Sequence, residues 1–409
     1  MKKSMHPIAT LVLRLARTAY TSRLVLAVWF FAISAFGAQQ MSAAGLTYIV
    51  GTCKSGTQFS TIQSALDASP APNKVQVCPG IYPEQITITN PVALEGISAE
   101  DWSEAQIVPP AGGLTENATL SSGDAAFAQV YVKNTSGKVD LTNLFVDGRD
   151  NNVSNNNLVI GVLYERSSGT INQVVTSSQT GANIIGYGIY LDGGSSNPSV
   201  TVENCSIHDF NQAGIWAMGS ETAVDLTVTI KDNIVNASSP AYGIVVEFGT
   251  NPTVTSNVVS VGGFGIVAVA PEGSVTGNTV GGSDYGIAVF ADGVSVKSNQ
   301  IYDTSVGIYL NASGGLKVSE VQGNTITHGV GVNMGINLNC NSAGSPNRVH
   351  SNKLIDVLVG YGLAPAGFGG SNTYVSVEED IDLQSCNSPL LKSSAAAHSL
   401  RSPYLSRGQ

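Results

Sequence analysis

The chain has 409 residues, 45 of them glycine and only 12% charged, with 19 Lys and Arg against 29 Asp and Glu. A hydrophobic content of 43% can bury a core, which excludes a disordered chain, and a net charge of -10 excludes a basic nucleic-acid binder. An acidic surface also repels anionic membranes and disfavours polyuronates unless a cation bridges them.

Residues 1–44 hold Lys2, Lys3, Arg14, Arg17 and Arg23 and no acid, so the remainder carries 14 basic against 29 acidic residues. The apolar run at 24–36 is too short for an ordinary spanning helix, and small residues follow at Ser42, Ala43 and Ala44. This predicts a secretory signal peptide over 1–44, with an uncleaved N-terminal anchor as the alternative. Either way the rest of the chain is exported: secreted, periplasmic or at the cell surface, with no nucleic-acid partner and no membrane contact once the signal is cleaved. Export permits disulfides, and the expected pairs are Cys53 with Cys78 and Cys340 with Cys386. Cys205 falls inside a repeat and is expected to be a buried free thiol. No Cys/His spacing suggests a zinc site.

Phe59, Ile62, Ala65 and Leu66 fall at helical spacing and Pro70 stops the pattern, which predicts a short helix within residues 59–69. Beyond it a strand-and-turn unit recurs. One line reads V-x-x-N-x-V, with its asparagine at Asn233, Asn257, Asn278, Asn299, Asn324 and Asn352, and with Cys205 in the same place one unit earlier. A second line is Gly-Ile followed by alternating residues, beginning at Gly188, Gly214, Gly243, Gly265, Gly286, Gly307 and Gly335 at intervals of 21 to 29 residues. The alternation excludes a helical repeat and the interval is too short for a propeller blade, leaving a β-solenoid. Its turns stack at about 4.8 Å, so equivalent residues form columns, and a buried asparagine column can satisfy turn backbone groups.

These repeats resemble the right-handed parallel β-helix proteins of the pectin-lyase-like superfamily, over roughly residues 130 to 362. The stretch 59–69, with Val75-Gln-Val-Cys-Pro-Gly-Ile-Tyr-Pro-Glu84 after it, resembles the opening of pectin methylesterases, where it forms a capping helix and the first coil. The resemblance implies an all-β, right-handed parallel β-helix of about a dozen coils over 45–386 with a short N-terminal capping helix. Residues 374–386 would close the last coil, and the Ser/Ala-rich stretch 387–409 is expected to be a disordered tail.

Alternation along the Gly-Ile strands assigns two outward columns. One is Leu163, Tyr190, Trp216, Val245, Val267, Ala288, Tyr309 and Asn337; the other is Glu165, Asp192, Met218, Glu247, Val269, Phe290, Asn311 and Asn339. Outward aromatics on successive rungs meet the apolar faces of sugars, so Tyr190, Trp216 and Tyr309 are candidate ligand-binding residues. The alternative is that a flanking loop covers Tyr190 and Trp216 as a satellite core, and the stretch between Val174 and Ile207 is long enough to do so.

Glu165 and Asp192 fall on neighbouring rungs and Glu247 two rungs further. Carboxylates about 5 or 10 Å apart have the separations used in glycoside hydrolysis, so these three are the candidate catalytic acids. Ca²⁺ is the one cofactor such a cluster suggests, and plain solvated acids are the bland reading.

The catalytic motifs of pectin methylesterases and polygalacturonases are absent. Asp147, Arg149 and Asp150 read as a turn, and His208 and His328 as turn residues. Periplasmic copper-loading proteins share the fold, but Met218 and Met334 are the sole methionines after the signal region, too few for a copper-rich site. The expectation is a secreted β-helix that binds an extended polysaccharide or cell-wall glycan and cleaves it if the acids converge. The alternatives are a non-catalytic adhesive or structural rod and a Ca²⁺-dependent polyuronate lyase or binder.

Overall fold

A computed structural model describes residues 45–382 except 99–103, 155, 182, 195–196, 221–225, 239, 312–316, 328–333, 339–346, 363–370 and 378. The chain separates into two units, 1–46 and 47–409, and the fold is that of the second.

Three long sheets run along a right-handed parallel β-helix. The first has 13 strands, from Gln58–Phe59 and Thr47–Val50 at one edge to Arg348–His350 at the other. The second has 12, from Gly80–Pro83 to Thr373–Val375, and the third has 13, from Ile86–Ile88 to Glu379–Asp382. Each strand pairs in parallel with its equivalent one coil away. The exception is Ala118–Thr119, which pairs antiparallel with Ala125 and Ala126.

Side chains explain why the chain coils this way. The inward isoleucines Ile189, Ile215, Ile244, Ile266, Ile287, Ile308 and Ile336 are in direct register and fully buried. The glycines before the first six of them have no room for a side chain. A Cβ on Gly265 would lie 2.2 Å from Val280 Cγ1 and 2.5 Å from the Gly286 carbonyl oxygen, and Gly214, Gly243, Gly286 and Gly307 are equally crowded. The sharp corner between the second and third sheets therefore demands glycine.

Asparagine holds the corner between the first and second sheets. Asn233, Asn257, Asn278, Asn299, Asn324, Asn352 and Asn372 form a ladder in which each Nδ2 donates to the next Oδ1 at 2.9 to 3.2 Å. The same Nδ2 donates to a carbonyl of the preceding coil, and each Oδ1 also accepts the previous asparagine's backbone N–H. All four amide hydrogen-bonding positions of Asn278 are thus used inside the core. Residues just before the ladder, such as Asp232, Ser256, Gly277 and Ser298, are left-handed, which small residues tolerate best. Cys205 heads the ladder, its N–H donating to Asn233 Oδ1 at 2.9 Å. Its thiol is free and buried, and burial pushes it up to about 12.

The N-terminal end is covered by a five-residue helix, Ile62–Leu66, shorter than the predicted span because Phe59 pairs as a strand and packs on Tyr48. Thr61 caps it, and the Glu84 carboxylate accepts the N–H groups of Ile62 and Gln63 at 2.8 and 2.9 Å. The predicted disulfide Cys53–Cys78 ties this end together. Cys340 and Cys386, the signal region and the C-terminal tail lie outside the described residues.

Candidate functional site

The third sheet carries both outward columns in the predicted register: Leu163 pairs with Tyr190, Tyr190 with Trp216, and Glu165 with Asp192. Their exposure differs from the expectation. Tyr190 and Trp216 are only 4% and 7% exposed, within a second apolar cluster on the outside of the coil. Ala118 and Leu120 cover it, from a hairpin insertion that precedes the strand Ala125–Lys133. The cover thus comes from the N-terminal side, with Ile185 and Tyr187 of the stretch 174–207 packing into the same cluster. Tyr190 and Trp216 have no free ring face for a sugar, because T-shaped contacts with Tyr187 at 5.1 and 5.7 Å lock them into this cluster. Tyr309 is half-buried against Tyr285 and Phe290. Beyond Trp216, Tyr242, Phe264 and Tyr285 stack with centroids 5.3 and 4.7 Å apart and take over the covering of Val245 and Val267.

The same insertion seals the acidic column. Asp192, 2% exposed, accepts the Ser121 N–H on Oδ2 at 2.7 Å, a bond spanning 71 residues of sequence, while Oδ1 has no partner among the described residues. Burial, with Glu165 nearby, raises its carboxyl above the usual range. Glu247 accepts the Trp216 indole N–H at 3.2 Å, so it is spent on an outward aromatic one rung from Asp192. The three predicted acids therefore do not line one cavity: of them only Glu165 borders the cavity beside the insertion.

That cavity, of about 390 Å³ and open to solvent, is bounded by Tyr131, Lys133, Glu165 and Arg166 on the solenoid and by Glu116 and Thr119 on the insertion. Glu165 is 3% exposed and held on both oxygens: Oε2 accepts the Tyr131 hydroxyl, and Oε1 accepts Arg166 Nη2 and Nε. Burial and then Glu165 hold the Tyr131 hydroxyl protonated, far above its ordinary range, and Glu165 raises the Arg166 guanidinium. Lys133 is exposed, its Nζ lying 5.5 Å from the Tyr131 ring centroid. Glu116 is exposed and forms no hydrogen bond or ion pair with the described residues.

Tyr131, Lys133 and Glu116 escaped the repeat analysis. Tyr131 and Lys133 pair with Leu163 and Glu165, one rung earlier in the same columns. Their strand has Gln129 where later coils have glycine, so the Gly-Ile signature does not mark it. The alternation of Val130, Tyr131, Val132 and Lys133 was the available signal. Glu116, on the insertion, had none. Elsewhere Asp147 pairs with Arg149, and Asp150 is left-handed, as a turn requires. His208, expected at a turn, instead ends the strand Ser206–His208 and contacts the left-handed Asp209, and His328 lies outside the described residues.

The sequence profile of the family described as periplasmic copper-binding protein (NosD) matches residues 115–293 and 227–361. The chain belongs to this family. A search of the curated proteins finds no match. Among solved structures, a DFA-IIIase from Arthrobacter chlorophenolicus A6 without its lid is 14% identical, with a TM-score of 0.46, over 84% of this chain and 100% of the other. A mannuronan C-5 epimerase A-module from Azotobacter vinelandii is 16% identical, with a TM-score of 0.43, over 80% and 92%. PfbA, a surface adhesin of Streptococcus pneumoniae, is 12% identical, with a TM-score of 0.44, over 76% and 85%.

The family's description raises copper, and the donors among the described residues do not suit it. Among the described residues no three His, Cys, Asp or Glu side chains gather as a metal site. Met218 sits beside the Tyr190 hydroxyl, and the Cys205 thiol donates to main-chain carbonyls inside the coil. These two soft ligands are thus single and separated, whereas copper needs several together. Among the described residues no helix is long and apolar enough to cross a membrane.

Proposed function

We propose that this member of the NosD family is an exported solenoid that binds a neutral or mixed glycan in the cavity between the insertion and the first outward rungs. The observation that carries this reading is the cavity's mixed wall, with Glu116 and Glu165 interleaved with Lys133, Arg166 and the Tyr131 hydroxyl. A simple anion would meet two carboxylates there and a simple cation would meet Lys133 and Arg166. A polyol suits both, since each sugar hydroxyl donates to one neighbour and accepts from another. The cavity is at the small end of the roughly 300–1,000 Å³ typical of small-molecule sites, so it takes a short segment of a chain whose remainder lies along the coil. The stacked aromatics from Tyr242 to Tyr285 are structural in this reading, because their faces are turned to one another.

The test is calorimetric titration of the exported chain with a panel of soluble glycans. Binding by the wild type, and at least a tenfold loss in both Thr119→Trp, which fills the cavity from its rim, and Lys133→Ala, is the expected result. A chain that binds no glycan, or whose binding ignores both substitutions, overturns the reading. Added Ca²⁺ or EDTA is expected to leave affinity unchanged. Loss of polyuronate binding on chelation would instead favour a Ca²⁺-dependent binder.

A further inference from the structure

We propose that the cavity is a glycoside-hydrolase centre whose two carboxylates are Glu165 on the solenoid and Glu116 on the insertion, an inference that rests on the cavity being a glycan site. Glycosidic bond cleavage needs one carboxyl to protonate the leaving oxygen and a second to meet the developing positive charge at the anomeric carbon. Neighbouring rungs suggested Glu165 and Asp192 for these roles, but Asp192 is sealed beneath Ser121 and does not border the cavity. Glu116 faces the same cavity as Glu165 from the opposite element, is exposed, and has no partner among the described residues.

The environment of Glu165 divides the roles. Tyr131 and Arg166 donate to both of its oxygens and fix the orientation of the carboxylate at the cavity wall. Such a carboxylate is suited to bonding carbon, not to taking a proton from water. In the first step Glu116 gives its proton to the leaving oxygen, the bond from that oxygen to the anomeric carbon breaks, and Glu165 bonds that carbon while the alcohol departs. In the second step Glu116 takes a proton from water, the water oxygen bonds the anomeric carbon, and the bond to Glu165 breaks. One water is consumed, both side chains return to their starting states, and the product keeps the anomeric configuration of the substrate. Tyr131 and Arg166 act as positioning residues through Glu165.

The experiment follows product by NMR, using whichever glycans bind in calorimetry, with wild type, Glu116→Gln, Glu165→Gln and, as a control in the regular coils, Glu272→Gln. Cleavage with retention is expected, with a rate loss of at least about 100-fold in each cavity variant and no change in the control. An aryl glycoside whose leaving group needs no proton should restore Glu116→Gln and not Glu165→Gln. Binding without cleavage by the wild type, an inverted product, or full activity in Glu116→Gln overturns the inference and leaves the glycan-binding reading standing. Absence of binding overturns both. Glu116 is exposed and its variant keeps the fold, so the test does not depend on the buried Glu165.

Discussion

The coils between Leu226 and Thr327 and those between Ala105 and Asp192 are built on one plan with different fidelity. In the later coils each structural position keeps its residue type: asparagine in the ladder, glycine at the sharp corner, and Val or Ile facing that glycine. In the earlier coils the plan is broken. Gln129 takes the glycine position, Thr176 sits in register between Val146 and Ile207, and Glu165 and Asp192 occupy outward positions that later hold Val269 and Phe290. Gln129 Oε1, Thr176 Oγ1 and both polar side-chain atoms of Gln179 are buried there without hydrogen-bond partners among the described residues. A solenoid is held by nearest-neighbour terms, so a stretch of well-satisfied coils can carry the cost of a few poor ones. The irregular coils are where the hairpin docks and the cavity opens; the regular coils are the scaffold that makes this affordable.

The largest effect expected from breaking the regular half is at the glycine corner. Gly265→Val drives a branched side chain into Val280 and the Gly286 carbonyl, and should cost about 3 kcal/mol or more in denaturant unfolding. Gly112→Ala, in the insertion with nothing within 4 Å of the new Cβ, should stay within about 0.5 kcal/mol. Equal costs at the two sites would contradict the division into scaffold and site.

Next in size is the ladder. Asn278→Ala removes the acceptor of the Asn257 side chain and backbone N–H and the side-chain donor to the Val254 carbonyl in the core, an expected loss of about 2 kcal/mol or more. Thr176→Val does the opposite in the irregular half. It removes an unpaired hydroxyl and restores the apolar column, and should raise stability by about 1 kcal/mol. A lowered midpoint would mean that the hydroxyl is hydrogen-bonded in solution.

The smallest effect is a pH dependence. The Asp192 carboxyl is raised by burial, so its protonated form favours the fold. That contribution is complete below the ordinary carboxylate range and is lost as pH rises through the raised value. The stability difference between wild type and Asp192→Asn should therefore shift against the wild type as pH rises from about 4 toward neutrality. A difference that is flat with pH would show that the Ser121 bond offsets the burial.

Much of the molecule was legible from residue spacing because solenoid coils are local and repetitive. The intervals of the Gly-Ile line placed Tyr190 beside Trp216 and Glu165 beside Asp192 with no three-dimensional information, and the asparagine spacing predicted the buried ladder. Cys53 and Cys78 were paired correctly from their place ahead of the repeats. What could not be read was the exposure of the outward columns. Ser121 meets Asp192 across 71 residues, and Ala118 and Leu120 reach Tyr190 and Trp216 from an insertion outside the repeat.

The sequence by itself therefore determined the coil, its register and which side chains point outward, because side-chain alternation and turn chemistry act over a few residues. Tertiary structure alone decided which outward residues stay in contact with solvent. Docking a non-repetitive hairpin over two rungs buried Asp192, Tyr190 and Trp216 and left Glu165 at the edge of a cavity facing Glu116. That outcome depends on the shape of the surface to be covered, which no local pattern encodes.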